Sequence, residues 1–318
     1  MNPVAAILGS LILYRYSLIL ALAAAAGICF FMACCSYVQI PPRRAAAVVL
    51  SSVCLSLPLS RLVYWYGRPD SFASLSRALT APFTTNFALA GAFAGCIVSA
   101  VAFGGRNNRR RILDSMSVAG CWTISLGRLG CFFTETDRGQ IMTYFTGLPW
   151  AYPVENASGQ LEYRFATFLF QALAAALLGV FLTTVFLRKK ARQGDVSVLF
   201  FLCYSASQVI LDSTRYDSLY LRSNGFVSLV QVLSAAALLG SIILLCVRNL
   251  KSRGFRFWMV PLWMILSALF VGAGYMEYYV QRHGREAVFA YSVMGSCLAV
   301  TVIIGLFLWR LSRSPATE

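Results

Sequence analysis

Residues 125–139 read Ser-Leu-Gly-Arg-Leu-Gly-Cys-Phe-Phe-Thr-Glu-Thr-Asp-Arg-Gly. The stretch closes a hydrophobic run and carries Arg128 where the pattern is still that of a membrane segment, with Gly127 and Gly130 on either side. A guanidinium at that depth costs a few kcal/mol or more unless an anion or a water-filled cavity receives it. The flanking glycines thin the helix, so that backbone and ligand can approach closely. Glu135, Asp137 and Arg138 follow within the same stretch. An arginine paired to a carboxylate purely for structure is one reading. A chain this apolar has little need of such a cluster for packing, and the other reading is a site at the membrane boundary.

Composition sets the frame for that stretch. The 318 residues are 58% hydrophobic and 12% charged, and several apolar runs are long enough to cross a bilayer. The expectation is an all-α polytopic membrane protein. The net charge of +15 does not point to nucleic acid, because the basic residues sit in short loops between hydrophobic runs, as membrane orientation requires. Ten cysteines lie mostly inside apolar runs, no Cys-x-x-Cys occurs, and His283 is the single histidine. That pattern predicts buried thiols acting as small hydrophobes, with no metal and no cofactor. Only Cys131, within the opening stretch, is placed where a thiol could matter. The first run lacks a basic start and a cleavage site, so it reads as a membrane helix rather than a removed signal peptide.

Nine spans are predicted, at 17–40, 45–66, 86–103, 112–133, 165–187, 196–211, 226–247, 257–276 and 287–309. Arg43 and Arg44 follow the first; Arg106, Arg109, Arg110 and Arg111 the third. Arg188, Lys189, Lys190 and Arg192 follow the fifth, Arg248, Lys251, Arg253 and Arg256 the seventh, and Arg310 and Arg313 the last. The basic loops alternate, which puts the N-terminus outside and the C-terminus in the cytoplasm. The long outer loop 134–164 holds Trp150, Tyr152 and Pro153, and reads as an interfacial lid or partial helix. Asn156-Ala157-Ser158 matches a glycosylation sequon that is common by chance. The basic connector 248–256 marks an internal boundary, dividing a core at 1–250 from an appended helix pair at 251–318. The appended pair shows no charged residue within its apolar cores, 257–276 and 287–309. Gly91-Ala92-Phe93-Ala94-Gly95 has close-packing spacing, which serves helix packing or a ligand-facing surface equally well.

Polar residues recur near the outer ends of several spans: Arg15 and Tyr16, Arg61 and Tyr64, Arg128, Asp212 and Arg215, Gln231 and Ser234. Each arginine alone could snorkel to the headgroups. Four at one depth, with apolar walls between spans, describe a pocket for an anionic phospholipid, since the planar fork of arginine makes paired hydrogen bonds to phosphate.

The motifs resemble those of the prolipoprotein diacylglyceryl transferase family. Gly127-Arg128-Leu129-Gly130, with Gly139 beyond, resembles that family's signature, in which Gly-Arg-Leu-Gly-Asn-Phe leads to Asn-Gly-Glu and a later Gly. Tyr14-Arg15-Tyr16-Ser17 is similar to its first-helix Arg-Trp-Tyr-Gly, and Ser60-Arg61-Leu62-Val63-Tyr64 to its Gly-Arg-Leu-Gly-Tyr. Gly194-Asp195-Val196 with Asp212-Ser213-Thr214-Arg215 resembles the start and the Glu-x-x-Arg end of a later helix. Val230-Gln231-Val232-Leu233-Ser234 resembles Gly-Gln-x-Leu-Ser. The motifs follow family order across about 14–247. The chain departs from the family at Ala90-Gly91-Ala92-Phe93, where the family has His-Gly-Gly-Leu, and at Cys131 and Thr134, where it has Asn. The signature Glu falls on Thr136, between Glu135 and Asp137. The family's His-Pro-Ser-Gln-Leu-Tyr-Glu segment is represented at best by 165–171. Two spans exceed the usual seven.

The resemblance implies a bacterial inner-membrane enzyme that moves a diacylglyceryl group from phosphatidylglycerol to the cysteine thiol of a lipoprotein precursor, with the acceptor open. Arg128 and Arg215 would meet the charge growing on the leaving phosphate. Glu135, Asp137 or Asp212 would take the thiol proton, and the residues leave that choice open. Tyr16, Arg61, Gly91, Gly130, Cys131, Thr134, Gly139, Asp212 and Gln231 would line the substrate site. A second reading keeps the scaffold but alters or loses the chemistry, leaving a protein that binds or handles anionic phospholipid. A third, transport of an anionic solute, predicts helices broken at mid-membrane rather than charges at outer ends.

Overall fold

The computed structural model describes residues 4–8, 11–72, 74–80, 87–143, 146–156, 158–188, 191–221, 224–283 and 286–313. Asn86, at the start of the third predicted run, the loop residues Lys189 and Lys190, and Ala157 of the sequon lie outside them. In chain order the elements are β1 (Val4–Leu8), β2 (Leu11–Tyr14), α1 (Arg15–Tyr37), α2 (Pro42–Gly67), α3 (Leu75–Thr80), α4 (Leu89–Phe103), α5 (Arg109–Leu129), β3 (Ala151–Glu155), β4 (Leu161–Phe165), α6 (Thr167–Leu187), α7 (Asp195–Ser213), β5 (Tyr220–Leu221), β6 (Asn224–Ser228), α8 (Leu229–Arg253), α9 (Met259–His283) and α10 (Ala287–Arg313).

Among the described residues, eight helices are long and apolar enough to cross a membrane: α1, α2, α5 with its extension to Phe133, and α6 to α10. The apolar α4, at 15 residues, is shorter. Each of the nine predicted runs falls on one of these helices, and the protein is an all-α polytopic membrane protein. Leu22, Leu50, Leu177 and Val271 stand exposed on helix surfaces, as residues facing lipid do.

The chain forms two compact units. The first comprises residues 1–197 and 214–222. In it α2 packs along α4, and α5 packs against both α1 and α6. The α2–α4 seam shows why the small-residue spacing occurs. A Cβ at Gly91 would run into the backbone of Leu59 and Ser60, and one at Gly95 would lie 2.6 Å from the Ser56 Cα. The two backbones are stitched by hydroxyls, Ser60 Oγ donating to the Ala88 carbonyl at 2.6 Å and Ser56 Oγ to the Ala92 carbonyl at 2.9 Å. At the other end of α5, buried Asp114 accepts from the backbone N–H of Gly194 (2.7 Å) and Ser197 (2.8 Å). It thereby satisfies orphan donors at the start of α7.

The second unit comprises residues 198–213 and 223–318, with α10 packed on α8 and α9. Gly305 on α10 faces Leu202, and a Cβ there would press on the end of that side chain, 2.6 Å from its Cδ1. The predicted apolar cores of the last two spans need one amendment. Helix α9 continues past residue 276 to His283 and buries Glu277, whose carboxylate accepts from Gln281 Nε2 at 3.1 Å.

The reading of loop 134–164 is also corrected. It holds no partial helix among its described residues; β3 and β4 form an antiparallel hairpin pairing Ala151 with Phe165 and Glu155 with Leu161. Tyr152 and Val154 alternate with exposed Pro153 and Glu155, which is strand periodicity. The turn is closed by Asn156, whose Oδ1 accepts from the backbone N–H groups of Ser158 (3.0 Å) and Gln160 (2.9 Å), with Gly159 at φ 77°.

Candidate functional site at the C-terminal end of helix α5

Helix α5 delivers Arg128 in its last turn, and the chain continues as a 3₁₀ turn over Gly130–Phe133. Gly130 lets α1 come close: a Cβ there would sit 3.3 Å from the Tyr16 ring and from Ile19. Beyond Phe133 the chain folds back, and residues 138–140 run beside 214–216. Gly139 bridges Arg215 as a short antiparallel pair, Tyr216 N–H donates to the Arg138 carbonyl (2.9 Å), and Gln140 N–H donates to the Thr214 carbonyl (3.0 Å). The Thr167 and Thr214 hydroxyls meet at 2.9 Å. Gly139 is required at this crossing, because a Cβ would come 2.7 Å from Phe165 Cβ and from Thr167 Oγ1. These strand-like contacts carry Arg215 to Arg128.

Asp137 lies between the two arginines. Arg128 Nη1 donates to its Oδ2, and Arg215 Nη2 donates to its Oδ1 at 2.8 Å. Cys131 Sγ donates to Oδ2 at 3.4 Å. The backbone at Asp137 is left-handed, φ 59°, a conformation short polar side chains tolerate. Its N–H donates to Asp217 Oδ2 at 3.0 Å, while Asp217 Oδ1 receives both Nε and Nη2 of Arg215 at 3.0 Å. Burial alone would push the Asp137 carboxyl upward, but the Arg128 and Arg215 guanidiniums outweigh it and hold the group well below the usual carboxylate range.

Arg138 fixes the turn from the other side. It is buried, and its Nη2 donates to the carbonyls of Cys131 (2.8 Å) and Thr134 (2.5 Å). Its guanidinium lies 3.7 Å from the Tyr152 ring centroid and 4.4 Å from that of Phe168. The Tyr152 hydroxyl donates to the Phe132 carbonyl at 2.8 Å, so the β3–β4 hairpin is tied to the same turn. Burial lowers the Arg138 pKa, yet a guanidinium remains charged in proteins.

The candidate residues sort as follows. Tyr16, Arg128, Gly130, Cys131, Asp137, Gly139 and Arg215 come together here, with Tyr16 packed on the small cluster of Cys131, Ala166 and Phe168. Thr134 contributes its carbonyl to Arg138, and its hydroxyl meets that of Thr136 at 2.7 Å. Glu135 is exposed. Gly91 lies in the α2–α4 seam, and Arg61 is buried in α2 with its guanidinium over the rings of Phe87 (4.6 Å) and Phe72 (5.3 Å). Asp212 and Gln231 belong to the second unit, joined through Ser228. Its hydroxyl donates to Asp212 and accepts from Gln231 N–H (3.0 Å), and its own N–H donates to Gln231 Oε1 (2.9 Å). Among the described residues no group of three or more metal-ligating side chains occurs.

Two participants escaped the sequence reading. Asp217 stands two residues after Arg215, and in extended chain that spacing turns both side chains to one face. Arg138 stood in the quoted stretch without a role, because only its ring contacts in space reveal one. The result is a partly buried set of two guanidiniums and two carboxylates, with the buried Arg138 next to it, beside a thiol and a phenol. Two guanidiniums about one carboxylate are suited to an oxyanion with two free oxygens, a phosphodiester among them.

A sequence profile described as prolipoprotein diacylglyceryl transferase matches residues 3–247. The chain is 24% identical over 234 residues to a phosphatidylglycerol–prolipoprotein diacylglyceryl transferase of Acaryochloris marina, covering 71% of this chain and 83% of that protein. It is 26% identical over 248 residues to the protein of that name from Synechococcus elongatus, covering 74% and 84%. To its namesake from Thermotoga petrophila it is 30% identical over 120 residues, covering 36% and 39%. The chain belongs to the prolipoprotein diacylglyceryl transferase family.

Proposed function

We propose that the protein transfers the diacylglyceryl group of phosphatidylglycerol to the cysteine thiol of a lipoprotein precursor peptide. The observation that carries this reading is the convergence of Arg128 and Arg215 on a single carboxylate within a membrane protein of this family. In the reaction the thiol loses its proton, the thiolate attacks the glyceryl carbon, and the carbon–oxygen bond breaks with its electron pair going to the phosphate oxygen. Arg128 and Arg215 stabilise the charge that grows there. Asp137 is the carboxylate nearest both guanidiniums and is assigned the thiol proton. Glu135 is exposed, and Asp212 is engaged by Ser228. Of the three carboxylates the sequence leaves open as the base, this assigns the role to Asp137.

We read the site as opening to the outer leaflet of a bacterial inner membrane, with the N-terminus outside. The alternation of basic loops supports that orientation. We read residues 1–250 as the transferase core and 251–318 as an appended helix pair, supported by a family match that ends at residue 247. The test uses purified full-length protein, phosphatidylglycerol vesicles and a synthetic lipobox peptide, with the thioether product followed by mass spectrometry. Product is expected from the wild type. Arg128→Ala and Arg215→Ala should each lower kcat/KM by roughly 100-fold or more, the usual cost of removing one preorganised charge-stabilising donor. Binding of phosphatidylglycerol without any product would instead mark a phospholipid-binding relative.

A further inference from the structure

Asp137 does more in this arrangement than accept a proton. Its two oxygens each take one guanidinium, Oδ1 from Arg215 and Oδ2 from Arg128, as the two free oxygens of a phosphodiester would. Two guanidiniums this close, each with only 15% of its side chain exposed, favour an anion between them, since uncompensated like charges in a largely enclosed site are destabilising. Resting on the function proposed above, we propose that the Asp137 carboxylate is a resident stand-in for the lipid phosphate: it occupies the arginine pair until phosphatidylglycerol displaces it, so the thiol's base is released only in a lipid-loaded site.

The surroundings permit that exchange without moving the loop. The Asp137 backbone is pinned on both sides, its N–H by Asp217 and its carbonyl by the N–H of Phe168 at 3.2 Å, and the next residue is gripped between Tyr152 and Phe168. Only the side-chain torsions need change. Asp217 stays on Arg215 through Oδ1 and keeps that guanidinium aimed.

Charge bookkeeping gives the direction of proton flow. A phosphodiester monoanion that takes Arg128 and Arg215 leaves the displaced Asp137 carboxylate without its two cationic partners and beside a second anion, a repulsion within a largely enclosed site. Proton uptake by the displaced Asp137 relieves it, and the acceptor thiol is the donor. The S–H proton passes to the carboxylate, the sulfur–carbon bond forms, and the carbon–oxygen bond breaks toward phosphate. The leaving glycerol phosphate then takes the proton from Asp137, whose carboxylate returns to the two guanidiniums and helps to expel the product.

The test is Asp137→Asn in the full-length protein, which keeps the shape and removes the competing charge. Phosphatidylglycerol affinity, measured by titration in a zwitterionic detergent, should rise by about 10-fold while kcat falls by about 100-fold or more. Unchanged or weaker lipid binding in this variant overturns the proposal. A second measurement uses wild type alone. The groups facing Asp137 are Tyr16 of α1, Arg128 of α5, Cys131, Arg215, Asp217 and the adjacent Arg138. Replacing its two cationic partners by a phosphate anion raises its pKa, so the acid limb of kcat should lie at higher pH than that of kcat/KM, which reports free protein. Coincident limbs contradict the exchange. Failure of the functional reading looks different: wild type would form no thioether, whereas the binding change on Asp137→Asn would persist.

Discussion

At the scale of single residues, the site is held by charge pairs that burial makes unforgiving. Arg128→Lys keeps the charge but loses the planar fork, and a drop in kcat/KM of about 10-fold or more is expected, less severe than for alanine. Arg138 is a structural cation. Its replacement by alanine removes two carbonyl hydrogen bonds and contact with two rings, a loss of about 2–4 kcal/mol measurable as a lower melting temperature in detergent. Asp137 also ties stability to pH. Its folded-state pKa lies below the unfolded value, so its contribution is present at neutral pH and is lost as pH falls below the ordinary carboxylate range toward the depressed folded value. The melting-temperature gap between wild type and Asp137→Asn should therefore be largest near neutrality and narrow in acid. A gap that widens on acidification contradicts this assignment. The sequence pointed to Arg128, Asp137 and Arg215 individually, because charge in an apolar chain is conspicuous. It left the choice among three carboxylates open, since only the fold sets Asp137 between the arginines, exposes Glu135 and gives Asp212 to Ser228.

At the scale of elements, two close approaches position the site. Gly139 lets the turn after α5 cross the start of α6, and Gly139→Ala forces a contact on Phe165 and Thr167 that neither can easily yield. Loss of activity with Arg128 and Arg215 both intact is expected, read as a fall in kcat larger than the change in melting temperature implies. Gly95 serves the α2–α4 seam, where Gly95→Leu should destabilise the protein without altering the pH profile of whatever activity survives. The helices were legible because each is a long apolar run between basic loops. The β3–β4 hairpin was not. Its strands are five residues each, and their alternation is broken by exposed Leu161 and Tyr163 on a face that a soluble protein would make polar. Asn156 and Gly159 were its visible turn signal, and the sequon drew the eye away from it.

At the scale of the whole molecule, the membrane explains the composition: exposed leucines on helix surfaces, most basic residues in the loops, and charges within helices such as Arg61 and Asp114 buried against partners. Single cysteines at Asn107 and at Gln160, in a background without reactive native thiols, should label from opposite sides, Gln160→Cys in intact cells and Asn107→Cys only after permeabilisation. Labelling of both from outside contradicts the orientation. The family's motif order was readable along the chain, while the division into two compact units was not, because α7 contributes residues to both and no linker composition marks the change.

The central claim, that Arg128 and Arg215 hold a lipid phosphate while its diacylglyceryl group moves to a thiol, is tested most directly by incubating purified protein with phosphatidylglycerol and a lipobox peptide and weighing the peptide. The account predicts a gain of one diacylglyceryl group on the cysteine with release of glycerol phosphate, lost in Arg128→Ala and Arg215→Ala. A peptide of unchanged mass with wild type, or one lipidated equally by the arginine variants, contradicts it.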